Sequence, residues 1–307
     1  MFYWNVLTIS TNAFSPYTEM MIFKMRDFGQ KVVHMSDKQL DLARKLAARY
    51  GALPQVEAVA LTGSLNTGVA DEGSDIDLYV YLRGDVPVTE RMEVAAPYAE
   101  GAEFDNRYWG TEDAWTDLAT GIHVEGIFWQ VSWIEDQLDR VLRRHEASTG
   151  YSTAFWHSVR SGRILFDRNS WLHLLQAEAQ QPYPEALRKA IYAKNYPILR
   201  RVSSSYVQQL ELAQERNDLV SINHRIAALL ASYFDVLFAV NGVAHPGEKR
   251  LIQYAETLCE KRPPALREQV EILIQSVYNG DPMTAAHMLI DGLDETMRAA
   301  GFNPDQI

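Results

Sequence analysis

The distribution of apolar and polar positions divides the chain into two halves of different character. The first half alternates short apolar runs with helical patterns. Long amphipathic runs without a convincing strand follow at residues 184–218, 222–242 and 263–280. The sequence therefore predicts an α+β fold, with a mixed sheet and flanking helices followed by a C-terminal helical bundle. We expect an N-terminal extension at 1–35, an α+β domain at 36–175 and a helical domain at 176–307.

The first half begins with a predicted helix. Ser36 is a favoured N-cap residue, and the run to Tyr50 repeats apolar residues at helical spacing until Gly51 and Pro54 end it. Apolar and β-branched runs predict strands at 56–64, 76–82, 122–133 and 162–167, with helices after the last two. The polar and aromatic segment 100–120 is expected to be a loop with a short irregular element.

Candidate chemistry centres on two aspartates at the start of the second predicted strand. Because side chains alternate along a strand, Asp75 and Asp77 share a face, about 6.5 to 7 Å apart, while Ile76 lies on the other face. Two neighbouring carboxylates repel each other and are costly to bury. A divalent cation removes both penalties, and Mg²⁺ prefers one or two carboxylates together with phosphate oxygens and water. The pair therefore predicts a magnesium site.

A Gly-Ser turn, Gly63-Ser64, precedes these aspartates by a ten-residue loop. Glycine lets the backbone approach a phosphate closely, and the N–H groups of a turn can form an anion-binding nest. The Ser64 hydroxyl adds a donor. We therefore expect Gly63, Ser64 and Ser74 to contact a triphosphate.

Glu125 is the candidate for a third carboxylate. It lies in the middle of the third predicted strand among apolar residues, where a bare carboxylate is hard to accommodate. Two metal ions held by three carboxylates can stabilise the attacking and leaving oxygens of an in-line displacement. Glu125 could hold one ion, take a proton from an acceptor hydroxyl, or do both. A buried glutamate can also serve only a structural pairing.

The arrangement of Gly63-Ser64, Asp75-Ile76-Asp77 and Glu125 resembles the DNA polymerase beta-like nucleotidyltransferase superfamily. The chain looks most similar to the bacterial antibiotic (aminoglycoside-type) and minimal nucleotidyltransferases, over residues 57–135. A looser similarity covers the run Asn-x4-Pro-Gly-x-Lys at 241–249.

The resemblance implies magnesium-dependent transfer of a nucleoside monophosphate, usually AMP from ATP, to an acceptor hydroxyl, with release of pyrophosphate. It implies two Mg²⁺ ions at Asp75 and Asp77, with Glu125 as ligand or base, and a triphosphate at Gly63 and Ser64. Lys249 could reach the phosphates from the helical half, or it could be an exposed lysine in a turn.

The acceptor is left open by these residues. A hydroxylated small molecule, such as an aminoglycoside-like antibiotic, is favoured because a cleft between two domains is a common ligand site. A protein acceptor, as in antitoxin-like minimal nucleotidyltransferases, and a non-catalytic nucleotide sensor are the alternatives. An acidic and aromatic pocket could hold a cationic sugar-like acceptor, although aromatic residues in such a segment more often serve ordinary packing; its candidates are Phe104, Asp105, Tyr108, Trp109, Glu112, Asp113 and Trp115.

Charge and composition narrow the classes further. A net charge of −11 makes nucleic acid an improbable partner, because phosphate backbones bind basic surfaces. The single cysteine, Cys259, excludes an intrachain disulfide. No apolar run is long enough to cross a bilayer, so we expect a cytoplasmic protein. His123 and His157 are expected to be structural, because no second His or Cys lies at metal-ligand spacing from either.

Overall fold

A mixed β-sheet in the N-terminal half determines where the candidate residues lie. The structure, a computed structural model, describes residues 36–63, 75–108 and 110–306. The predicted extension 1–35, the predicted triphosphate contacts Ser64 and Ser74, and Trp109 lie outside these ranges. The predicted α+β architecture is confirmed.

Six strands in the described ranges form this sheet, in the order β3-β4-β5-β2-β1-β6. They are β1 (Val56–Thr62), β2 (Ile76–Leu82), β3 (Ala99–Asn106), β4 (Thr111–Asp117), β5 (His123–Gln130) and β6 (Arg163–Asp167). β2 and β5 pair in parallel, and the other neighbours pair antiparallel. Every residue of β1 is buried, as expected for a strand inside a sheet covered on both faces.

One face of the sheet is covered by the first helix, α1 (Asp37–Gly51). Leu46 and Tyr50 of α1 share an apolar cluster with Ile76 and Leu78 of β2. The predicted N-cap is confirmed, because the Ser36 hydroxyl accepts from the backbone N–H of the third helical residue and that residue's side chain bonds back, completing a capping box. The even-numbered side chains of β2 thus form the core, and the odd-numbered ones face the other way.

The opposite face packs against the helical half. The helices in chain order are α2 (Val88–Ala95), α3 (Val131–Leu142), α4 (Ala154–Ser161), α5 (Trp171–Ala179), α6 (Glu185–Asn195), α7 (Pro197–Arg200), α8 (Tyr206–Glu215), α9 (Leu219–Val240), α10 (Leu251–Leu258), α11 (Leu266–Asn279) and α12 (Pro282–Ala299). A single apolar cluster runs from Ala58 and Tyr81 in the sheet to Met297 in α12. The predicted division between residues 175 and 176 falls within α5 and stays a prediction.

The segment 100–120 differs from the sequence expectation, since it forms β3 and β4 rather than a loop. In β4 the buried positions alternate as in any half-buried strand, but two of the three are aspartates, Asp113 and Asp117. Arg91 pairs with Asp113 at 2.7 Å, and Thr120 donates to Asp117. A hydrophobic pattern treats aspartate as exposed, so the alternation of buried and exposed positions in β4 cannot be recognised from the sequence.

Two helical regions depart from the sequence pattern, one at a proline in the helical half and one at a buried charge in the N-terminal half. The amphipathic run 184–218 is divided into α6, α7 and α8, because Pro197 cannot donate the backbone hydrogen bond that would continue α6. The short helix α2 escapes the pattern because Arg91 occupies one of its buried positions. No helix in the described ranges is long and apolar enough to cross a membrane.

A buried carboxylate links α9 to the segment before α4. Asp235 accepts hydrogen bonds from the backbone N–H and the hydroxyl of Ser152, at 3.0 and 2.5 Å, and from the Asn195 side chain at 3.1 Å. Burial nevertheless dominates and raises the pKa of Asp235 to about 7. The folded chain therefore holds a proton that the unfolded chain, with an aspartate pKa of about 3.9, releases earlier.

We expect stability to fall as the pH rises through the interval between these two pKa values. The difference in free energy of unfolding between Asp235→Asn and the wild type should shift in favour of the variant, by on the order of 1 to 2 kcal/mol, as the pH rises from 5.5 to 8.5. Urea unfolding at both pH values measures this difference. Asp218→Asn, which changes a solvent-exposed helix cap, is the control and should show no such trend. A constant difference between wild type and Asp235→Asn would contradict the assignment.

Candidate active site

Three adjacent strands bring the predicted glycine and two of the predicted carboxylates to one end of the sheet. Thr62 of β1 lies opposite Asp77 of β2, and Asp77 lies opposite Glu125 of β5. The Thr62 hydroxyl donates to the Asp77 carbonyl at 3.3 Å, and Gly63 follows directly. Because directly opposed residues share a face of a sheet, Asp77 and Glu125 project from the same face.

Gly63 packs its backbone directly against the Asp77 carboxylate. Its φ of +72° is a conformation that side-chain-bearing residues rarely adopt. A Cβ atom at this position would lie 1.9 Å from Oδ2 of Asp77. Only glycine permits this contact, so the turn after β1 and the carboxylate of β2 form one unit.

The Asp77 carboxyl is held in an environment that disfavours its charge. Burial is the largest cause of a raised Asp77 pKa, followed by the negative charge of Glu125; a hydrogen bond between the two carboxyl groups and the charge of Asp75 act in the same direction. The negative charge of Asp77 is therefore disfavoured both by burial and by the neighbouring Glu125 carboxylate.

Lys249 supplies the opposing charge. It lies between α9 and α10, and its ammonium group lowers the pKa of Asp77 against the effects of burial and of Glu125. Its side chain is exposed. The structure thus brings a lysine from the helical half, more than 170 positions along the chain, into electrostatic contact with the carboxylate end of the sheet.

Asp75 takes a more peripheral position than the other two acids. It is exposed and directly precedes β2. Within the parts of the chain that the structure describes, no group of three or more His, Cys, Asp or Glu side chains converges as a ready-made metal cluster. The three predicted carboxylates are therefore neighbours, with Asp77 and Glu125 in contact and Asp75 acting through its charge.

The donor set nevertheless fits magnesium. Asp77 and Glu125 present neighbouring hard carboxylate oxygens, and a divalent cation would offset the repulsion between them. Mg²⁺ commonly uses only one or two protein carboxylates, since phosphates and waters complete its coordination. The acids that meet here are thus of the right kind and number.

Glu125 has two further polar neighbours that the sequence pattern does not reveal. The His123 Nε2 atom lies 3.6 Å from Oε1 of Glu125, so His123 borders the site, whereas the sequence predicts a structural role for it. The pKa of Glu112 is raised, first by burial and then by the charges of Glu125 and Glu103. A row of carboxylates therefore extends from Asp77 across β5 and β4 to β3.

Most residues of the predicted acidic and aromatic pocket lie elsewhere. Trp115 is fully buried in the cluster beneath α1, on the opposite face of the sheet. Asp113 is bound to Arg91, and Tyr108 is 89% exposed. Of the candidates placed by the structure, Glu112 is the one whose charge reaches Glu125. These candidates do not form one pocket, because β4 sends alternate side chains to opposite faces, and Trp115 has the alternative packing role.

An aromatic cluster lies further along the same face as Glu125. Trp129, four residues after Glu125 on β5, stacks on Trp133 with ring centroids 4.5 Å apart, and Phe155 meets both rings edge-on. All three side chains keep some exposure. The two-residue period of a strand could have identified Trp129, because residues 125, 127 and 129 share a face.

Residues 42–127 match the family model of a nucleotidyltransferase domain. This part of the chain is therefore similar to nucleotidyltransferase domains. The match runs from α1 into β5 and includes Gly63, Asp77 and Glu125. The prediction of a nucleotidyltransferase enzyme is confirmed at this level. None of the curated protein sequences matches the chain significantly.

Several solved structures resemble the chain loosely. A nucleotidyltransferase-like protein from Exiguobacterium sibiricum 255-15 is 14% identical, with a TM-score of 0.39, over 85% of this chain and 75% of that one. Cid1 in complex with its short product ApU is 17% identical, with a TM-score of 0.28, over 76% of this chain and 56% of that one. The Thermotoga maritima CCA-adding enzyme complexed with tRNA is 12% identical, with a TM-score of 0.27, over 88% of this chain and 83% of that one. The assignment of the domain comes from the family match.

The repulsion within the nucleotidyltransferase domain leads to a stability prediction. In EDTA at pH 7.5, Asp77→Asn should stabilise the protein against urea by about 1 kcal/mol, because an amide donates to Glu125 and removes one buried charge. Asp75→Asn, which changes an exposed carboxylate two residues away, should have a smaller effect. A destabilised Asp77→Asn protein would contradict the proposed strain between the two acids.

Proposed function

We propose that this protein transfers a nucleoside monophosphate, AMP from ATP, to a hydroxyl group of a small molecule and releases pyrophosphate. The observation that carries the proposal is the contact of the Gly63 backbone with Asp77, directly opposite Glu125. A close backbone approach, two adjacent carboxylates and a facing lysine suit a triphosphate and its metal ions. The family match supports the transfer of nucleotides in general.

The donor side of the site consists of Gly63, Ser64, Ser74 and Lys249. Gly63 brings the backbone against Asp77, beside the proposed phosphate position, and Ser64 and Ser74 are assigned to the triphosphate from the sequence. Lys249, whose charge already reaches Asp77, would neutralise the charge that builds on the departing pyrophosphate. These roles make the triphosphate span the end of the sheet and the helical half.

Asp75, Asp77 and Glu125 are proposed to hold magnesium, in two ions. When bound, Mg²⁺ supplies positive charge that neutralises the phosphates and fixes their orientation. Asp77 loses its conflict with Glu125 under those conditions, since both carboxylates can then be ionised. The acids thus have a function that explains why two of them are held in contact.

We propose that Glu125 also acts on the acceptor. Its side chain is 34% exposed, so an acceptor hydroxyl group can reach it from solvent. As an ionised carboxylate it would accept the hydroxyl proton while the oxygen attacks the α-phosphorus and the bond to pyrophosphate breaks. His123, at 3.6 Å, is close enough to orient the carboxylate.

The surroundings of Glu125 support a small, amine-bearing acceptor with hydroxyl groups, such as an aminoglycoside-like molecule. Glu103 and Glu112 extend the negative field away from the metal site, and the stacked rings of Trp129 and Trp133 offer an apolar wall. Ammonium groups of the acceptor would pair with the two glutamates, and its sugar faces would pack on the two tryptophan rings. A protein acceptor remains the second candidate, and a nucleotide sensor without turnover is the third.

Transfer from labelled ATP measures this function directly. With Mg²⁺ and a panel of aminated and unaminated hydroxylated compounds, the wild type should label an aminated compound and release pyrophosphate. Asp77→Asn and Glu125→Gln should lower the rate by about 10²- to 10⁴-fold, because each removes a proposed ligand or base. Asp37→Asn, an exposed carboxylate in the first turn of α1, should retain full activity.

Two results would contradict parts of this proposal. Unchanged pyrophosphate release in Asp77→Asn would exclude the metal site, and labelling of a protein from a cell lysate instead of the compounds would favour the second candidate. For the acceptor site, Glu112→Gln should raise KM for the aminated compound and leave KM for ATP unchanged. A change in KM for ATP alone would place Glu112 on the donor side.

A further inference from the structure

Lys249 lies near the end of a ten-residue segment, 241–250, that joins α9 to α10 and forms no helix or strand. The Asn241 side chain fixes its beginning, since it donates to the Lys261 carbonyl at 2.8 Å and accepts from the Lys261 N–H at 2.9 Å. Gly247 has a φ of +106°, a conformation that favours glycine. The position of Lys249 therefore depends on contacts that hold this irregular backbone.

His245 makes the central contacts of the segment. Its backbone N–H donates to the Thr153 hydroxyl at 2.7 Å, and its ring atom Nδ1 accepts from the Gly247 N–H at 3.1 Å. The ring is completely buried, between Tyr151 and Phe238, each at a centroid distance of 5.0 Å. His245 thus ties the turn before Lys249 both to α9 and to the residues preceding α4.

The hydrogen bond at Nδ1 fixes the protonation state of this histidine. Because Nδ1 accepts, the neutral ring carries its proton on Nε2. Burial, assisted by the neighbouring His157, lowers the pKa of His245 to about 3. The ring therefore stays neutral and the bond to Gly247 persists at any physiological pH. In the described part of the chain Nε2 has no partner, so Nδ1 is the ring atom that performs the anchoring.

We infer that His245 is a positioning residue for Lys249, holding the lysine where its charge reaches Asp77 and the phosphates. The inference rests on the proposed function, since it assigns Lys249 to the triphosphate. An apolar residue of similar size would fill the space of the ring but leave the Gly247 N–H without its acceptor. Asparagine would restore the acceptor, because its Oδ1 atom stands where Nδ1 stands in histidine.

A double-mutant cycle on nucleotide binding tests this role. The affinity of the full chain for the magnesium complex of a non-hydrolysable ATP analogue, and for AMP, is measured by calorimetry in His245→Leu, His245→Asn, Lys249→Met and the double variant His245→Leu/Lys249→Met. We expect His245→Leu and Lys249→Met each to weaken the triphosphate analogue about tenfold and to leave AMP unchanged. The double variant should match Lys249→Met, and His245→Asn should recover most of the affinity.

Several results would overturn the inference. If the double variant loses triphosphate affinity by the product of the two single losses, His245 acts independently of Lys249 and serves general packing. The same conclusion follows if His245→Leu weakens AMP binding as much as triphosphate binding. Should His245→Leu fail to fold, Thr153→Val, which removes the acceptor of the His245 N–H, replaces it in the same cycle with the same expected pattern. If the wild type binds no triphosphate in the presence of Mg²⁺, the proposed function itself fails, which the other outcomes leave intact.

Discussion

The contact between the carboxyl groups of Asp77 and Glu125 is the interaction on which the rest of the site depends. The parallel register of β2 and β5 sets the two acids opposite each other, and the Gly63 backbone leaves Asp77 no room to turn towards β1. Partial burial then makes two neighbouring charges unfavourable. The fold therefore creates a demand for positive charge at this end of the sheet.

The two halves of the chain make different contributions to the site. Apolar packing beneath α1 holds the even-numbered side chains of β2, and Asp77 projects from the opposite face towards Glu125. The helical half shares a continuous core with the other face and delivers Lys249 through the segment anchored by His245. In β2, the even-numbered side chains thus stabilise the fold, and Asp77 on the other face belongs to the candidate site.

The sequence predicts those parts of the molecule that follow from local periodicity. The alternation of β2 predicts the shared face of Asp75 and Asp77, and the apolar surroundings of Glu125 single it out before its partner is known. β4 and α2 are missed because Arg91 and Asp113 are buried as a pair, which a hydrophobic pattern cannot represent. β3 is missed because most of its residues are exposed or only half-buried, so no apolar alternation marks it. The anchoring of Lys249 is missed because it is a contact between residues distant along the chain, Thr153 and His245.

The central claim is that the end of the sheet between Gly63 and Glu125 binds a triphosphate through a cation shared by Asp77 and Glu125. A crystal structure with Mg²⁺ and a non-hydrolysable ATP analogue tests it most directly. We predict phosphate oxygens against the Gly63 turn, with Mg²⁺ bonded to oxygens of both carboxylates at about 2.0 to 2.1 Å. A nucleotide bound at another surface, or a metal-free carboxyl–carboxyl bond persisting beside a bound triphosphate, would contradict the account.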